Sequence, residues 1–351
     1  MSNFIKKIKN INLPFFLYSQ IYFDLGTCTT RIAIKDKGVV YKEPTYLGFN
    51  NKTKEYIFFG KDAKTILGKA PSFLKISRPV INGIISHFDG EVVLIKKALE
   101  KSIYPYYSKF FLKPPLNAIA TVPSVATQIE QKAVEEALLK AGCSTVKVIE
   151  KPIATAAGCN LNVFSHKPNL IIDLGGGLIE MAIISSGGII NHKTLKNGGD
   201  YMNKLIYNYI YLKYGVILGE TTCENLKINI LSFGKEDKNA TIKGKSLESG
   251  LPKSIRIKTA DIKEAIIIHL NQIIDGIKEL IETSAPETIE EIYKRGIILS
   301  GGIANVKDID VFFSKELKID TICTENPEDA TIRGIIKIAK SNNDVDKLLM
   351  R

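Results

Sequence analysis

The chain has 351 residues, more than one ordinary core holds, so its length predicts about two domains. A hydrophobic fraction of 45% and a charged fraction of 24% exclude a disordered, collagen-like or coiled-coil protein. No stretch approaches the ~18 uninterrupted apolar residues of a membrane-spanning helix, so we expect a soluble protein. The formal net charge of +11 favours an anionic partner. The interleaved arginines and aromatics of a nucleic-acid groove are not found, and no nucleic acid is predicted.

The cysteine and histidine content bears on the cellular compartment. The five cysteines, an odd number, form no CxxC pair, and the four scattered histidines lack the spacing of metal ligands. No secretory leader with a small-residue cleavage site precedes them. We therefore expect reduced thiols, a cytoplasmic location and no structural zinc site.

The periodic segments predict strands that alternate with helices. The predicted elements are strands at about 21–23, 32–34 and 39–41, a helix at 127–141, a strand at 146–149, a helix after Pro152, strands at 170–172, 181–184 and 189–190, and a helix at 261–281. Gly142 is expected to end the first of these helices and Thr259 to begin the last. The polar, glycine-spaced segment 232–250 is predicted to be a connecting hairpin or an exposed subdomain rim. This alternation predicts an α/β architecture with mainly buried sheets.

One pattern of strand, loop, strand, turn and strand occurs twice in the chain. The first copy begins with strand 21–23 and Asp24-Leu25-Gly26-Thr27, and the second with strand 170–172 and Asp173-Leu174-Gly175-Gly176. Aligned without gaps, the copies coincide at Asp24/Asp173, Leu25/Leu174, Gly26/Gly175, Ala33/Ala182, Ile34/Ile183, Gly38/Gly187 and Thr45/Thr194. Because the whole frame matches, two homologous halves explain the repeat better than chance does.

A glycine loop follows the first strand of each copy. Such loops present backbone N–H groups and let an anion approach closely. Facing each other, Gly26-Thr27 and Gly175-Gly176-Gly177 would clamp one polyphosphate from both sides, and Asp24 and Asp173 would hold a hydrated Mg²⁺ through its waters. Either loop alone would be better explained as a hairpin turn, and the pair in register reverses that preference.

A third glycine loop, at 299–302, ends a predicted strand and begins a helix predicted from Val306. It has the form of a loop that packs against a base or a ribose. A plain strand-to-helix turn is the alternative at this position.

Motifs along most of the chain resemble one known family. The sequence is similar to the actin, sugar-kinase and heat-shock-chaperone ATPase superfamily, and within it to the MreB family of bacterial actins. Its Gly-Leu-Pro-Lys and Gly-Gly-Asp motifs are typical of MreB rather than of actins or chaperones at large. In family order, the matching stretches are Asp24-Leu25-Gly26-Thr27, Arg78-Pro79, Asn82-Gly83, Thr121-Val122-Pro123-Ser124, Ile149-Glu150-Lys151-Pro152, Asp173-Leu174-Gly175-Gly176-Gly177, Asn197-Gly198-Gly199-Asp200, Gly219-Glu220, Glu224-Asn225-Leu226-Lys227, Gly250-Leu251-Pro252-Lys253 and Leu299-Ser300-Gly301-Gly302.

The resemblance implies an actin-like ATPase fold, in which two duplicated domains surround a nucleotide cleft and each carries a small inserted subdomain. Domain I is expected at 19–150 plus 325–345. Domain II is expected at 151–324, with its small subdomain at about 195–256. Residues 1–18 would form a separate basic amphipathic segment.

The same resemblance implies that the cleft binds ATP or ADP with Mg²⁺. Asp24 and Asp173 would lie on the metal side, and Glu130 would orient the water that attacks the γ-phosphate. Glu224 and Lys227 are spaced to share one helix face, which supports a joint ribose contact, although such a pair is commonly a surface ion pair. The residues implied to contact the nucleotide are Gly26, Thr27, Cys28, Thr29, Gly175, Gly176, Gly177, Glu224, Lys227, Gly301, Gly302 and Ile303.

One departure from the family pattern concerns hydrolysis. MreB proteins usually follow the glycines of the second loop with two threonines, one of which helps to position the attacking water, and here Leu178 and Ile179 replace them. His87 also stands where the family more often has an acid. The backbone donors and Glu130 remain, so we expect nucleotide binding with reduced ATPase activity. The lost hydroxyl would cost about 2–4 kcal/mol of transition-state stabilisation.

Two segments predict contact with a membrane surface. Residues 1–18 combine lysines with apolar residues at helical spacing, and a disordered leader or an edge strand is the alternative. Phe110-Phe111-Leu112 lies between lysines where the family carries a hydrophobic insertion loop. The resemblance further implies self-association into paired, antiparallel protofilaments at the inner face of the cell membrane, with other MreB paralogues as further candidate partners.

Other function classes remain open at this point. A chaperone-type ATPase would need a substrate-binding extension after the last motif, and a sugar kinase would need a general-base aspartate that the sequence does not place. A filament scaffold that binds nucleotide without hydrolysing it is the third class. The abundance of lysine, asparagine and isoleucine fits MreB paralogues of wall-less swimming bacteria, so both cell shape and motility are candidate roles.

Overall fold

Strands and helices alternate along the chain. The computed structural model describes residues 19–107 and 114–340, together with Leu348. The strands are β1 (Ser19–Leu25), β2 (Thr29–Ile34), β3 (Gly38–Pro44), β4 (Leu47–Asn50), β5 (Glu55–Phe59), β6 (Leu74–Ser77), β7 (Val80–Ile81), β8 (Ile84–Ile85), β9 (Leu116–Val122), β10 (Thr145–Glu150), β11 (Asn169–Leu174), β12 (Ile179–Ser185), β13 (Gly188–Leu195), β14 (Val216–Ile217), β15 (Asn239–Ser246), β16 (Pro252–Lys258), β17 (Ile297–Ser300) and β18 (Thr321–Cys323).

The helices lie mostly between the strands and pack on their faces. They are α1 (Gly60–Thr65), α2 (Phe88–Ser102), α3 (Gln128–Ala141), α4 (Lys151–Gly158), α5 (Gly199–Tyr214), α6 (Glu220–Ile230), α7 (Thr259–Glu282), α8 (Pro286–Arg295), α9 (Ile309–Leu317) and α10 (Ala330–Lys340). Short 3₁₀-helices lie at Tyr104–Tyr107, Gly302–Asn305 and Pro327–Asp329. In the described part of the chain, none of the helices combines the length and the apolar character that crossing a bilayer requires.

Two five-stranded sheets of the same topology form the framework. The first has the strand order β10-β9-β1-β2-β3 and the second the order β18-β17-β11-β12-β13. In each sheet the central strand pairs antiparallel with the next strand in the chain and parallel with a later one. The predicted α/β architecture with two duplicated domains is therefore confirmed. Because the glycine loops follow β1 and β11, the shared topology brings both loops to equivalent sheet ends.

Two helices exchange places between the sheets. Helix α4 follows β10 of the first sheet but packs on β11 and β12 of the second, whereas α10 follows β18 and packs on β1 and β2 of the first. A buried cluster that includes Tyr22, Ile153, Ile171 and Ile335 fills the space between these helices and the two sheets. The exchange supports the predicted domain limits near residues 150 and 325, which stay predictions.

Each half also carries a small sheet. In the first half the small sheet has the strand order β5-β4-β6, and in the second the order is β14-β15-β16. The segment predicted as a connecting hairpin or rim contains β15, which pairs antiparallel with β16. The strands β14 to β16 end at Lys258, two residues beyond the limit predicted for the small subdomain. Of the C-terminal piece assigned to domain I, residues 341–345 lie outside the described residues.

The predicted first or last residues of two helices agree with the structure. Thr127 caps α3, where its hydroxyl accepts a hydrogen bond from Glu130 N, and Gly142 ends the helix with a φ of 120° that favours glycine. Helix α7 begins at Thr259, as predicted.

The helix predicted from Val306 begins later than expected. A 3₁₀-helix occupies Gly302–Asn305, and Val306 itself is extended. Lys307 forms a parallel bridge with Ser232, which holds this stretch out of a helix. Helix α9 therefore begins at Ile309, after Asp308 in a left-handed conformation.

Candidate functional site

A cavity of about 380 Å³ opens between the two halves, beside the ends of β1 and β11. Its walls contain the residues predicted to bind the nucleotide or the metal, with Glu130 excepted. The predicted residues that line it are Asp24, Gly26, Thr27, Cys28, Thr29, Asp173, Gly175, Gly176, Gly177, Glu224, Lys227, Gly301, Gly302 and Ile303. The fold therefore brings these residues together, while the role of each remains a prediction.

The two glycine loops face each other in direct contact across this cavity. A Cβ at Gly176 would collide with the sulfur of Cys28, and a Cβ at Gly177 would collide with the hydroxyl of Thr27. That hydroxyl also accepts a hydrogen bond from Gly83 N at 2.8 Å. Both collisions are with side chains of the first loop, so the second loop has room for backbone alone at these two positions, and a loop of bare backbone suits an anion.

Both loops make the same tight turn. A Cβ at Gly26 would lie 2.6 Å from the carbonyl oxygen of Thr29, and a Cβ at Gly175 would lie 2.7 Å from that of Leu178. Neither position therefore accepts a side chain without a backbone shift. The turn is thus a feature of the duplicated frame rather than of one half.

In the first half, the acid at the strand end is paired with an arginine. Asp24 is buried, and Arg31 Nη1 lies 3.3 Å from its Oδ2. Burial raises the pKa of Asp24, and the nearby positive charges of Arg31 and Lys151 oppose that rise. Arg31 also donates through Nε to Asp329 at 2.7 Å, so its guanidinium is shared by two carboxylates.

In the second half, two buried acids share one lysine. Lys151 Nζ, at the start of α4, lies 2.7 Å from Asp173 Oδ2 and 3.7 Å from Glu180 Oε2. Burial alone would lower the pKa of Lys151, but its attraction to Asp173, Glu180 and Asp24 outweighs burial and raises it. Burial raises the pKa of Glu180, and the nearby positive charge of Lys151 opposes that rise. The ammonium of Lys151 thus lies among three carboxylates, and we call this group the floor of the cavity. Asp24 and Asp173 line the cavity, whereas Glu180 does not.

The pair predicted to contact ribose lies on α6 at the cavity rim. Glu224 forms an ion pair with Lys64 of the first half at 2.7 Å, and Lys227 Nζ donates to the carbonyl oxygen of Gly199 at 2.7 Å. Burial lowers the pKa of Lys227. Both side chains line the cavity, which agrees with the shared helix face, and each has a partner other than its neighbour on the helix.

An arginine of the first half forms ion pairs with the second half beside the cavity. Arg78 donates to Asp200 and, at 2.7 Å, to Glu220, both of the second half. Cys28 Sγ lies beside the same Asp200, and burial raises the pKa of this thiol to about 12. The thiol is therefore protonated at neutral pH and adds no negative charge to the cavity.

The third glycine loop closes the cavity on the side of the second half. Gly301 has a φ of +85°, and a Cβ there would collide with Asp173 Oδ1. Gly302 has open space around it, so the backbone at this point is exposed to the cavity. The loop can therefore pack against a flat group, as the sequence predicted for a base or ribose.

The residues that replace the family threonines point in different directions. Leu178 lines the cavity, whereas Ile179 is fully buried in the core of the second half. Glu130 does not line the cavity, because its carboxylate accepts hydrogen bonds from Thr127 N at 2.7 Å and from Thr127 Oγ1 at 2.9 Å. Its role in orienting water stays a prediction.

Sequence reasoning assigned no function to Arg31 or Lys151, although both line the cavity. The signal for Lys151 was its position directly after β10, whose carboxyl end meets the cavity. Residues 1–18 and Phe110-Phe111-Leu112, predicted to contact a membrane, lie outside the described residues.

Comparisons with known proteins agree with this geometry. The family model described as MreB/Mbl protein matches residues 18–347 of the chain. The cell shape-determining protein MreB of Pasteurella multocida (strain Pm70) is 33% identical over 324 residues, which span 90% of this chain and 91% of that protein.

Solved structures share the fold. MreB5 of Spiroplasma citri bound to ADP superposes with a TM-score of 0.87 at 29% identity, covering 93% of this chain and 97% of that one. The MamK double helical filament superposes with a TM-score of 0.77 over 92% of this chain and 99% of that one. At 17% identity, MamK supports the fold alone, and the actin-like fold is confirmed.

Proposed function

The chain belongs to the MreB/Mbl family of bacterial actins, and on that premise we propose that it is a nucleotide-dependent cytoskeletal filament protein that acts in cell shape or motility. The observation that carries the proposal is the pair of glycine loops in contact across a cavity between two duplicated halves. The relatives support it, since they include a cell shape-determining protein MreB and an MreB5 bound to ADP.

We propose that ATP or ADP binds in the cavity with its phosphates between the two glycine loops. The fit rests on the collisions that any Cβ would cause at Gly176 and Gly177, because they keep the second loop free of side chains where a phosphate would approach. Asp24 and Asp173 would hold Mg²⁺ through its waters, and their hard oxygen atoms suit that ion. When bound, Mg²⁺ would neutralise phosphate charge. Gly301, Gly302, Glu224 and Lys227 would hold the nucleoside.

Electron microscopy of the purified protein with ATP, with ADP and without nucleotide tests the filament proposal. We expect filaments in at least one nucleotide state and a larger pelleted fraction in that state. The variant Gly176→Val fills the space between the loops, so it should lose both ATP binding and nucleotide-dependent pelleting. Filaments absent from every nucleotide state would contradict the proposal. Stimulation of phosphate release by unfolded peptides would instead favour a chaperone-type ATPase.

Hydrolysis is proposed to be slow. Leu178 presents an apolar side chain to the cavity where the family pattern has a hydroxyl, and positioning of water is a large part of what a protein contributes to phosphoryl transfer. Leu178→Thr should raise phosphate release about tenfold or more. Ile179→Thr is the matched control, since its buried position predicts lower stability and no gain in rate. Wild-type release at the rate of family members that keep the threonines would contradict slow hydrolysis.

Membrane attachment and filament architecture complete the proposal. We propose paired antiparallel protofilaments on the inner membrane face, with paralogues of the family as further partners. Residues 1–18 and Phe110-Phe111-Leu112 would provide the membrane contact. Flotation with anionic liposomes compares the wild type with Phe110→Ser/Phe111→Ser, and equal flotation would remove the loop from this account.

Filaments that form without any phosphate release would identify a non-hydrolysing scaffold.

A further inference from the structure

The floor of the cavity carries different charges in its two halves. In the first sheet Asp24 is the register partner of Arg31, and in the second Asp173 is the register partner of Glu180. Both members of the second pair are buried carboxylates. Two adjacent buried acids repel each other unless a cation compensates them. The second half therefore requires a positive charge that its own sheet does not provide.

Lys151 supplies that charge. Its Nζ lies 2.7 Å from Asp173 Oδ2 and 3.7 Å from Glu180 Oε2. Glu180 Oε1 accepts a hydrogen bond from Ser124 N at 3.0 Å, whereas Oε2 has no hydrogen-bond partner among the described residues. The ammonium is thus the compensating group on the side of Oε2. About 20% of the Lys151 side chain is exposed, and that part borders the cavity.

The other cations of the cavity are committed elsewhere. Among the described residues that line it, the cationic side chains are Arg31, Lys151 and Lys227. Arg31 is shared by Asp24 and Asp329, and Lys227 donates to a backbone carbonyl. Lys151 is therefore the cation that lies between the acids of the second half and the space proposed for the phosphates.

We propose that Lys151 is a permanent cation of the cleft. Its ammonium neutralises part of the polyphosphate charge that Mg²⁺ would otherwise neutralise. The proposal rests on the proposed function of nucleotide binding and deepens it. Without nucleotide the cleft should bind Mg²⁺ weakly, because an ammonium already occupies Asp173 and Glu180, so the Mg²⁺ proposed beside Asp24 and Asp173 would enter with the phosphates. ATP should bind with little dependence on Mg²⁺, because the ammonium already offsets part of the negative charge of the acids near its phosphates.

The first experiment uses the full chain without nucleotide and MgCl₂ as the probe. Isothermal titration should give no saturable Mg²⁺ binding to the wild type in the low millimolar range. Lys151→Met leaves Asp173 and Glu180 uncompensated, so this variant should gain Mg²⁺ affinity by about tenfold or more. Equal Mg²⁺ affinity of the wild type and the variant would overturn the proposal.

The second experiment measures ATP affinity by titration calorimetry in MgCl₂ and in excess EDTA. For the wild type the two dissociation constants should differ by less than about fivefold, and for Lys151→Met by about fiftyfold or more. Lys278→Met, on an exposed position of α7 outside the cavity, should keep the wild-type ratio. A wild type that needs Mg²⁺ for ATP binding overturns the proposal whatever the variants do.

A second variant covers the case in which Lys151→Met fails to fold. Lys151→Met/Glu180→Gln removes one acid together with the ammonium and so keeps the net charge of the floor. It should still depend on Mg²⁺ more steeply than the wild type, and a ratio equal to that of the wild type would contradict the proposal. If no form of the protein binds ATP under either condition, the proposed function fails. The Mg²⁺ titration of the wild type then still tests the assignment of Lys151: tight Mg²⁺ binding overturns it, and weak Mg²⁺ binding supports it.

Discussion

In the first half of the molecule Asp24, at the end of β1, lies opposite Arg31, whereas in the second half Asp173, at the end of β11, lies opposite Glu180. The two strand pairs have the same register, and the residues correspond position by position in the repeat. The backbone frame is thus duplicated, but the charge of the partner residue is inverted. What compensates the acid differs accordingly: a neighbour on the same sheet in one half, and Lys151 of the exchanged helix α4 in the other.

The two exchanged helices show the opposite behaviour, since there the halves remain alike. Both contain the pattern Ala-x-x-x-Gly, at Ala154 and Gly158 in α4 and at Ala330 and Gly334 in α10. A Cβ at either glycine would collide with the carbonyl oxygen of the alanine in the other helix. The two halves therefore keep the same residues where their backbones touch. They differ where the charge of a side chain can be compensated by a residue from another element.

The largest effect should come from breaking this symmetric contact. Gly158→Ala and Gly334→Ala should each lower the free energy of unfolding by about 3–5 kcal/mol, because the new methyl group meets a backbone atom that cannot rotate away. Thermal and urea unfolding measure the loss. Gly188→Ala is the control, since its site has open space and an ordinary φ. A loss below about 1 kcal/mol in either variant would mean that the helices can separate at little cost.

A buried acid of the first half lacks the compensation that the floor acids have. Both carboxylate oxygens of Glu91, on α2, have no hydrogen-bond partner among the described residues, and burial raises its pKa to about 8. The folded state therefore binds this proton more tightly than the unfolded state, whose glutamate titrates near 4.5. Stability should fall as the pH rises from about 4.5 to about 8.

Glu91→Met should remove that pH dependence. At pH values above about 8 the variant should be more stable than the wild type by about 2–4 kcal/mol, and near pH 4.5 the two should be close. Urea unfolding across this range measures the difference. Glu136→Met, at an exposed position of α3, is the matched control and should leave the profile of the wild type unchanged. Parallel profiles of Glu91→Met and the wild type would show that Glu91 is compensated after all.

The floor acids allow a direct contrast between the halves. Arg31→Gln leaves Asp24 and Asp329 without their shared guanidinium and should lower stability by about 2–3 kcal/mol. Glu180→Gln leaves Lys151 with Asp173 as a one-to-one pair and should change stability by less than about 1 kcal/mol. Chemical unfolding of both variants provides the comparison. Equal losses of stability in the two variants would show that the acids of the two halves do not differ in how their charge is compensated.

The repeat in the sequence made the position of the floor acids predictable. Asp24 and Asp173 were placed together because identical frames put both at the ends of central strands, and the cavity lies there. Backbone turns at Gly26 and Gly175 were predictable for the same reason, since a local pattern determines them.

The role of Lys151 was not predictable from local pattern. It lies one residue beyond β10 of the first sheet, and its contact with Asp173 exists because α4 crosses to the second sheet. The late start of α9 has a similar origin, because a bridge between Lys307 and the distant Ser232 holds that stretch extended. The role of Glu130 was assigned from its position in the family pattern. In the structure its carboxylate caps α3 together with Thr127. The spacing of Thr127 and Glu130 would have predicted this local contact.

The smallest effect concerns a symmetric polar contact between the exchanged helices. The hydroxyls of Thr155 and Thr331 lie 2.9 Å apart, both are buried, and each follows the alanine of its own Ala-x-x-x-Gly pattern. Thr155→Val and Thr331→Val should each cost about 1 kcal/mol, because each leaves the other hydroxyl with fewer partners. Thr155 also donates to the Lys151 carbonyl at 2.9 Å, so its replacement should cost slightly more.

The double variant separates the contact from the two single losses. Replacing both threonines removes both polar groups and leaves two apolar side chains of similar shape in contact, which can be nearly neutral. The double variant should therefore lose less stability than the sum of the two single variants, by about 0.5–1 kcal/mol. A double-mutant cycle from urea unfolding measures this difference. Strict additivity would show that the two hydroxyls do not depend on each other, and that the symmetry of the helix contact rests on the glycines alone.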